Sequence, residues 1–332
     1  MKRLAAAGIV LAALGLLWTC DTSGLINAIS LLNEGPVMYW LSTNGDGEES
    51  DWSRLFGASV SSIGSSIVER YARGATRIAA QDDGGLVVFT SGLGRFGSGM
   101  PYERIGQVGV DVEISGATAD FRGFLVWAES KSLFFSSVQA ALDFNKDTSP
   151  YIDPDYSYDD GVSPGIVLTA FSDEAIIGIA ANIASIDGAP SGIVVLLESL
   201  TSEIRVFDVE LETVVSTLPV ASPAPDIEAV GSRFYWIDGD SLYWDSAADL
   251  AGAPSPEVAF QSESLDSSTI QSFAVAGRFD GGGADIVYLA VVGTDGTVRL
   301  FTSTAGEGVV EASYGSADSW PASGAVAFVG EQ

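Results

Sequence analysis

Asp143, Asn145 and Asp147 stand on alternate residues, a spacing that turns three oxygen ligands toward one cation. Asp153 and Asp155 follow in the same stretch and are the candidates for later ligands of a loose calcium site. A twelve-residue helix–loop–helix calcium loop opening at Asp143 needs Gly at its sixth position and a bidentate Glu at its twelfth. Thr148 and Pro154 occupy those places, which excludes that loop and leaves a loose calcium site or a solvated acidic segment. Tyr151, Tyr156 and Tyr158 interleave with these acids, and tyrosine gives contact area at low entropy cost, so residues 143–163 also read as a recognition surface. No other cofactor is expected.

Other routes to chemistry are few. The chain contains no histidine and one cysteine, Cys20, so neither a Ser-His-Asp nor a Cys-His unit can be built. Paired carboxylates could still hydrolyse glycosides. Asp111, Glu113, Asp226 and Glu228 lie in strand-like segments, but no spacing singles out a pair. Gly92, Gly94 and Gly97 have the G-x-G-x-x-G form, yet no helical pattern follows them. A dinucleotide fingerprint requires a helix there, so this segment reads as a loop.

Cys20 itself ends a distinctive stretch. Lys2 and Arg3 precede an apolar run from Leu4 to Trp18, 15 residues long, where spanning a bilayer takes about 20. A cationic start and a short apolar run describe a secretory signal. The small-x-small ending of a plain signal peptide is missing, and Leu17-Trp18-Thr19-Cys20 resembles a bacterial lipobox. The resemblance implies cleavage before Cys20, acylation of its thiol, and export to the cell envelope, in the periplasm or at the surface. Residues 1–19 are then a signal peptide, 20–35 a tether, and 36–332 the body. Asp21 resembles the inner-membrane retention signal of enterobacterial lipoproteins, a code specific to that lineage.

Cleavage would leave 313 residues, with 13 basic against 44 acidic, a formal charge of −31 compared with −29 for the whole chain. Nucleic acid binding depends on a cationic footprint, so that partner is excluded. An anionic lipid surface would repel the folded body and leave the acyl group to hold it. With Cys20 acylated no disulfide can form, so the body must be stabilised by a core large enough to need no staples. A hydrophobic fraction of 47% and 38 glycines suit such a core with many turns.

The elements that carry these residues read as strands. Apolar and aromatic runs at 37–41, 86–89, 124–127, 193–197, 233–237 and 286–290 alternate with Gly, Asp and Ser turns. Taking Trp40, Val88, Val126, Val195, Tyr235 and Tyr288 as markers, the spacings are 48, 38, 69, 40 and 53. Four-stranded propeller blades repeat every 40–50 residues or so, and the acidic insertion at 143–163 accounts for the long gap. Small-residue segments at 76–80, 109–113, 176–180, 226–230 and 272–276 precede the later markers and suit crowded innermost strands. Asp238-Gly239 and Asp295-Gly296 predict tight hairpins. The segment 325–329 is an inner-type strand with nothing after it, while the first marker lacks one before it. The expected fold is therefore all-β: a β-propeller of six four-stranded blades, closed by the C-terminal strand pairing with the N-terminal blade, so that no sheet edge is left at the join.

Residues 276–287 resemble the calcium loops of FG-GAP and VCBS propeller repeats, which read roughly Asp-x-Asp-x-Asp-Gly ahead of a strand. Asp280 and Asp285 match, while Gly282 and Ala284 fill ligand positions, so the resemblance implies the fold and argues against a metal there. The pairs Tyr39-Trp40, Tyr235-Trp236 and Tyr243-Trp244 read mainly as packing between blades, with a carbohydrate platform as the alternative. The function these features favour is a lipid-anchored, non-enzymatic binding or scaffold module for an envelope protein or glycan. The alternative is a carboxylate-dependent propeller hydrolase of glycosidase or lactonase type, with calcium assisting.

Overall fold

The computed structural model describes residues 36–43, 52–60, 68–73, 75–80, 86–91, 105–110, 116–121, 124–129, 132–137, 175–181, 192–198, 202–208, 213–278, 286–304, 308–314 and 322–329. These residues are nearly all β: 22 strands, one helix and one 3-10 turn. No helix among them is long and apolar enough to cross a membrane.

The strands form six small sheets. The first combines the two ends of the chain, in the order β22 (Ala322–Val329), β1 (Val37–Thr43), β2 (Trp52–Ser59) and β3 (Val68–Arg73). β22 lies antiparallel to β1, with Val37 opposite Val329 and Trp40 opposite Val326. The expected pairing of the C-terminal strand with the N-terminal sheet is present.

Three further sheets are four-stranded antiparallel meanders. One contains β10 (Ala175–Ala181), β11 (Gly192–Glu198), β12 (Glu203–Asp208) and β13 (Thr213–Pro219). The next contains β14 (Glu228–Val230), β15 (Arg233–Asp238), β16 (Ser241–Ser246) and β17 (Glu257–Gln261). The last contains β18 (Ile270–Arg278), β19 (Ile286–Gly293), β20 (Val298–Thr304) and β21 (Gly308–Tyr314). The short helix α1 (Ala247–Gly252) interrupts the connection from β16 to β17 and buries Leu250.

The remaining two sheets have three described strands each. In one, β4 (Ala75–Ala80) pairs antiparallel with β5 (Leu86–Ser91), but β6 (Ile105–Val110) lies parallel to β5. The other holds β7 (Gly116–Phe121), β8 (Phe124–Glu129) and β9 (Ser132–Ser137). This corrects one expectation: the inner partner of the strand containing Val126 is β7, not residues 109–113. Only Arg122 and Gly123 separate β7 from β8, and that tight link favours the nearer of two small-residue segments.

Packing explains why the strands read as continuous apolar runs. Successive side chains point to opposite faces of a strand, and here both faces are covered by neighbouring sheets. In β15, Phe234 and Trp236 enter a core with Ile204 and Val206 of β12. Tyr235 and Ile237, on the other face, enter a core with Phe273 and Val275 of β18. β18 in turn sends Ala274 and Ala276 to a core shared with Trp40, Val326 and Phe328. Leu41, Leu55, Ala325 and Ala327 continue the series, packing with Ile78 of β4. The first strands of the sheets adjoin one another: β22 neighbours β4, β4 neighbours β7, and β7 neighbours β10. β10 neighbours β14, β14 neighbours β18, and β18 neighbours β22.

Candidate functional site

Cys20, Asp143, Asn145, Asp147, Tyr151, Asp153, Asp155, Tyr156 and Tyr158 lie outside the described residues, as do Asp111, Glu113, Asp280, Asp285 and the glycines of 92–97. Of the inner-strand acids, Asp226 and Glu228 are described. Asp226 is buried, and its Oδ1 accepts a hydrogen bond from the backbone N–H of Ile227 at 3.0 Å. Its burial follows from Gly178 in β10: a Cβ there would lie 2.8 Å from the Asp226 backbone, so only glycine lets the two strands approach this closely. Glu228 is half-buried and sits opposite Tyr235. No group of three or more acids among the described residues is arranged to hold a metal.

The aromatic pairs divide between core and margin, with Tyr39, Tyr243 and Trp244 half-buried. Trp40, Tyr235 and Trp236 are buried. Trp40 stacks on Phe56 with centroids 5.5 Å apart, and Trp236 on Tyr243 at 6.0 Å. Trp244 is half-buried, and the Arg233 guanidinium lies 4.1 Å from its ring centroid.

Polar chemistry concentrates on the turns at one end of the β14–β17 and β18–β21 sheets. The β15–β16 turn is Asp238-Gly239-Asp240, with Gly239 at φ 62°, and the β19–β20 turn contains Asp295-Gly296, with Gly296 at φ 78°. Left-handed φ favours glycine, which is why these hairpins were legible. Asp238 accepts from the backbone N–H groups of Ala221 and Ser222 at 3.0 and 2.7 Å. Asp240 accepts from Ser241 Oγ at 2.9 Å and Gln261 Nε2 at 2.7 Å, and these bonds hold its carboxyl below the usual range. Asp295 accepts from Thr297 Oγ1 at 2.6 Å and the Thr297 N–H at 3.0 Å, with the same consequence. Asp266 caps the 3-10 turn through Ser268, and Glu311 accepts from Ser264 Oγ at 2.6 Å. Arg299 donates to the Ser264 carbonyl and lies 4.0 Å from Glu311.

The opposite end of the same sheets carries α1. Asp245, buried just before it, accepts from the N–H groups of Ser246 and Ser255 at 2.8 Å each, tying both ends of the insertion together. Burial pushes its carboxyl up despite those bonds. In both places the carboxylates are committed to donors, some local, as Thr297 is to Asp295, and some distant in sequence, as Gln261 is to Asp240. That arrangement fixes loop shape and presents an acidic surface. The signal missed in the sequence was the return of residues 221–222 to Asp238.

No protein-family model matches the chain, and no curated protein sequence matches it. Among solved structures, it is similar to Kuenenia stuttgartiensis hydrazine synthase at 12% identity and a TM-score of 0.36, covering 62% of this chain and 51% of that one. It is similar to the WD40 domain of Toxoplasma gondii coronin at 10% identity and a TM-score of 0.37, covering 80% of this chain and 58% of that one. A third likeness is to the β-propeller domain of Myceliophteria thermophila Cps50 (Swd1), at 12% identity and a TM-score of 0.41, covering 82% of this chain and 84% of that one. The chain thus spans about half the length of the first of these and less than two thirds of the second. Such TM-scores carry no argument, and the fold rests on the strand order and packing above.

Proposed function

We propose that this is a lipid-anchored cell-envelope protein, tethered through acylated Cys20, whose body is a six-bladed β-propeller acting as a non-enzymatic binding or scaffold module for a protein or glycan. The observation that carries the propeller is the cyclic order in which β22, β4, β7, β10, β14 and β18 adjoin one another and return to β22. The pairing of β22 with β1 supports closure by the two chain ends.

One sheet departs from this pattern: β6 pairs directly with β5 in parallel, where a four-stranded meander places an antiparallel third strand.

A binding role is supported by described carboxylates that serve as turn acceptors rather than as a convergent pair, and by the tyrosines interleaved with the acids of 143–163. The anchor is tested with Cys20→Ser, which is expected to abolish palmitate labelling and release the protein to the soluble fraction. Unchanged membrane retention overturns the lipid anchor. The binding role is tested by co-purification from the native membrane. A stoichiometric partner should be recovered, and replacing Tyr151, Tyr156 and Tyr158 together by Ser should lose it. Recovery unchanged by that replacement overturns the assignment of the loop.

A further inference from the structure

Strand direction gives the body two distinguishable ends. β1 enters its sheet at Val37 and leaves it at Thr43, so the tether of residues 20–35 joins the Val37 side. This is the entry end, and the Thr43 side is the far end. β22 starts at the far end, because Ala322 lies opposite Ser42 and Val329 opposite Val37. β4 also starts there, since only Gly74 separates it from Arg73, the last residue of β3.

The other sheets show how successive inner strands begin. Ser262 donates its N–H to Asp240 O, and Ser267 to Gly239 O, so β17 ends and β18 begins beside the β15–β16 turn. Thr294 donates to Thr269 O, which puts the β19–β20 turn at that same end. Ala224 donates to Ile237 O, bringing the approach to β14 there too. The seven residues 315–321 then link β21 to the start of β22 as short connections link the sheets before it.

Charge differs between the ends. The far-end turns carry Asp238, Asp240, Glu263, Asp266 and Asp295, with Arg299 beside them bound to Ser264 and Arg73 at the far end of β3. At the entry end the described charges are mixed: Arg233 over Trp244, with Asp249 and Glu257.

We infer that the entry end faces the membrane and that the far end, with its acidic turns, is the surface displayed away from it. This rests on the lipid anchor at Cys20 proposed above. Sixteen residues, 20–35, precede Pro36 and β1, and a seven-residue strand sets the two ends of the body about 23 Å apart. Chain connection makes Val37 the strand residue nearest the anchor along the sequence and sets the far end about 23 Å beyond it. Repulsion of the acidic turns by anionic lipid acts in the same direction. A partner in the envelope would meet the far end first.

The test uses the lipidated full-length protein in vesicles of phosphatidylcholine and phosphatidylglycerol. Ser232→Cys labels the entry end and Ser222→Cys the far end, both at exposed positions, and acylated Cys20 leaves the new thiol as the sole reactive one. Flotation with the vesicles reads the anchor. Quenching of a thiol-bound fluorophore by nitroxide-headgroup lipid reads the orientation. The expected result is flotation of both variants with several-fold stronger quenching at position 232. Flotation with equal quenching, or with stronger quenching at 222, overturns the orientation and leaves the anchor intact. Failure to float overturns the anchor and the orientation with it.

Discussion

Two seams flank the β18–β21 sheet, and they are filled in different ways. On one side the sheet meets β14–β17, its predecessor in the chain, and large residues meet large ones: Tyr235 and Phe260 pack with Phe273 and Phe301. Phe260 and Phe301 stack with centroids 6.2 Å apart, and backbone bonds from Ser262 and Ser267 tie the connection down. On the other side the sheet meets strands from both chain ends. There Ala274, Ala276 and Ala290 form a shallow socket for Met38, Trp40 and Phe328. β18 alternates large and small residues because its two partners differ. Where neighbours are consecutive in the chain, local connections add to the packing. Where they come from opposite ends, side-chain fit and strand pairing must offset the entropy of closing a very long loop.

The largest effect should come from the terminal seam. Deleting residues 322–332 removes the strand that pairs with β1 and takes Val326 and Phe328 from the core. Loss of the cooperative thermal transition followed by circular dichroism is expected, while deleting 330–332 alone leaves it in place. A truncated protein that melts cooperatively at the parental temperature would show that the terminal seam does not hold the fold.

The aromatic seam should answer to a single truncation. Phe273 is fully buried, and Phe273→Ala is expected to cost about 3–5 kcal/mol in denaturant unfolding. A cost under about 1 kcal/mol would mean that this seam repacks freely and is no better fixed than the other. A third seam, where β10 meets the approach to β14, sharpens the contrast because backbone meets backbone. At Gly178 an added Cβ would lie 2.8 Å from the Cα of Asp226, and backbone cannot rotate away as a side chain can. Gly178→Ala should therefore destabilise by about 1–3 kcal/mol. A neutral result would show that the sheets can separate there at little cost.

Much of this was legible in the residues. Apolar and aromatic runs marked β1, β5, β8, β11, β15 and β19, and Asp-Gly marked two hairpins whose glycines take positive φ. The complementarity of the chain ends, small residues without an outer strand at one and the reverse at the other, announced the pairing of β22 with β1. What escaped depends on distant partners. Residues 109–113 and 116–121 are equally small, and only the tight link at Arg122-Gly123 decides which one pairs with β8. Asp226 resembled an available inner-strand acid, but its burial depends on a glycine 48 positions earlier. The role of Asp238 was not legible because its hydrogen bonds come from residues 221–222, which return to it from an earlier part of the chain.

The smallest expected effect lies on the strand between the two seams. Ser272 is fully buried, spaced two residues before Ala274, and its Oγ has no hydrogen-bond partner among the described residues. A hydroxyl that has lost water and gained nothing costs free energy, whereas removing it leaves the backbone pairing with Val292 untouched. Ser272→Ala should therefore be neutral or raise stability by up to about 1 kcal/mol, the reverse sign of every other substitution above. A loss of more than about 1 kcal/mol would place a polar partner for Ser272 beyond the described residues. The alanine socket would then be held partly by a hydrogen bond and would differ less from its aromatic counterpart than the packing indicates.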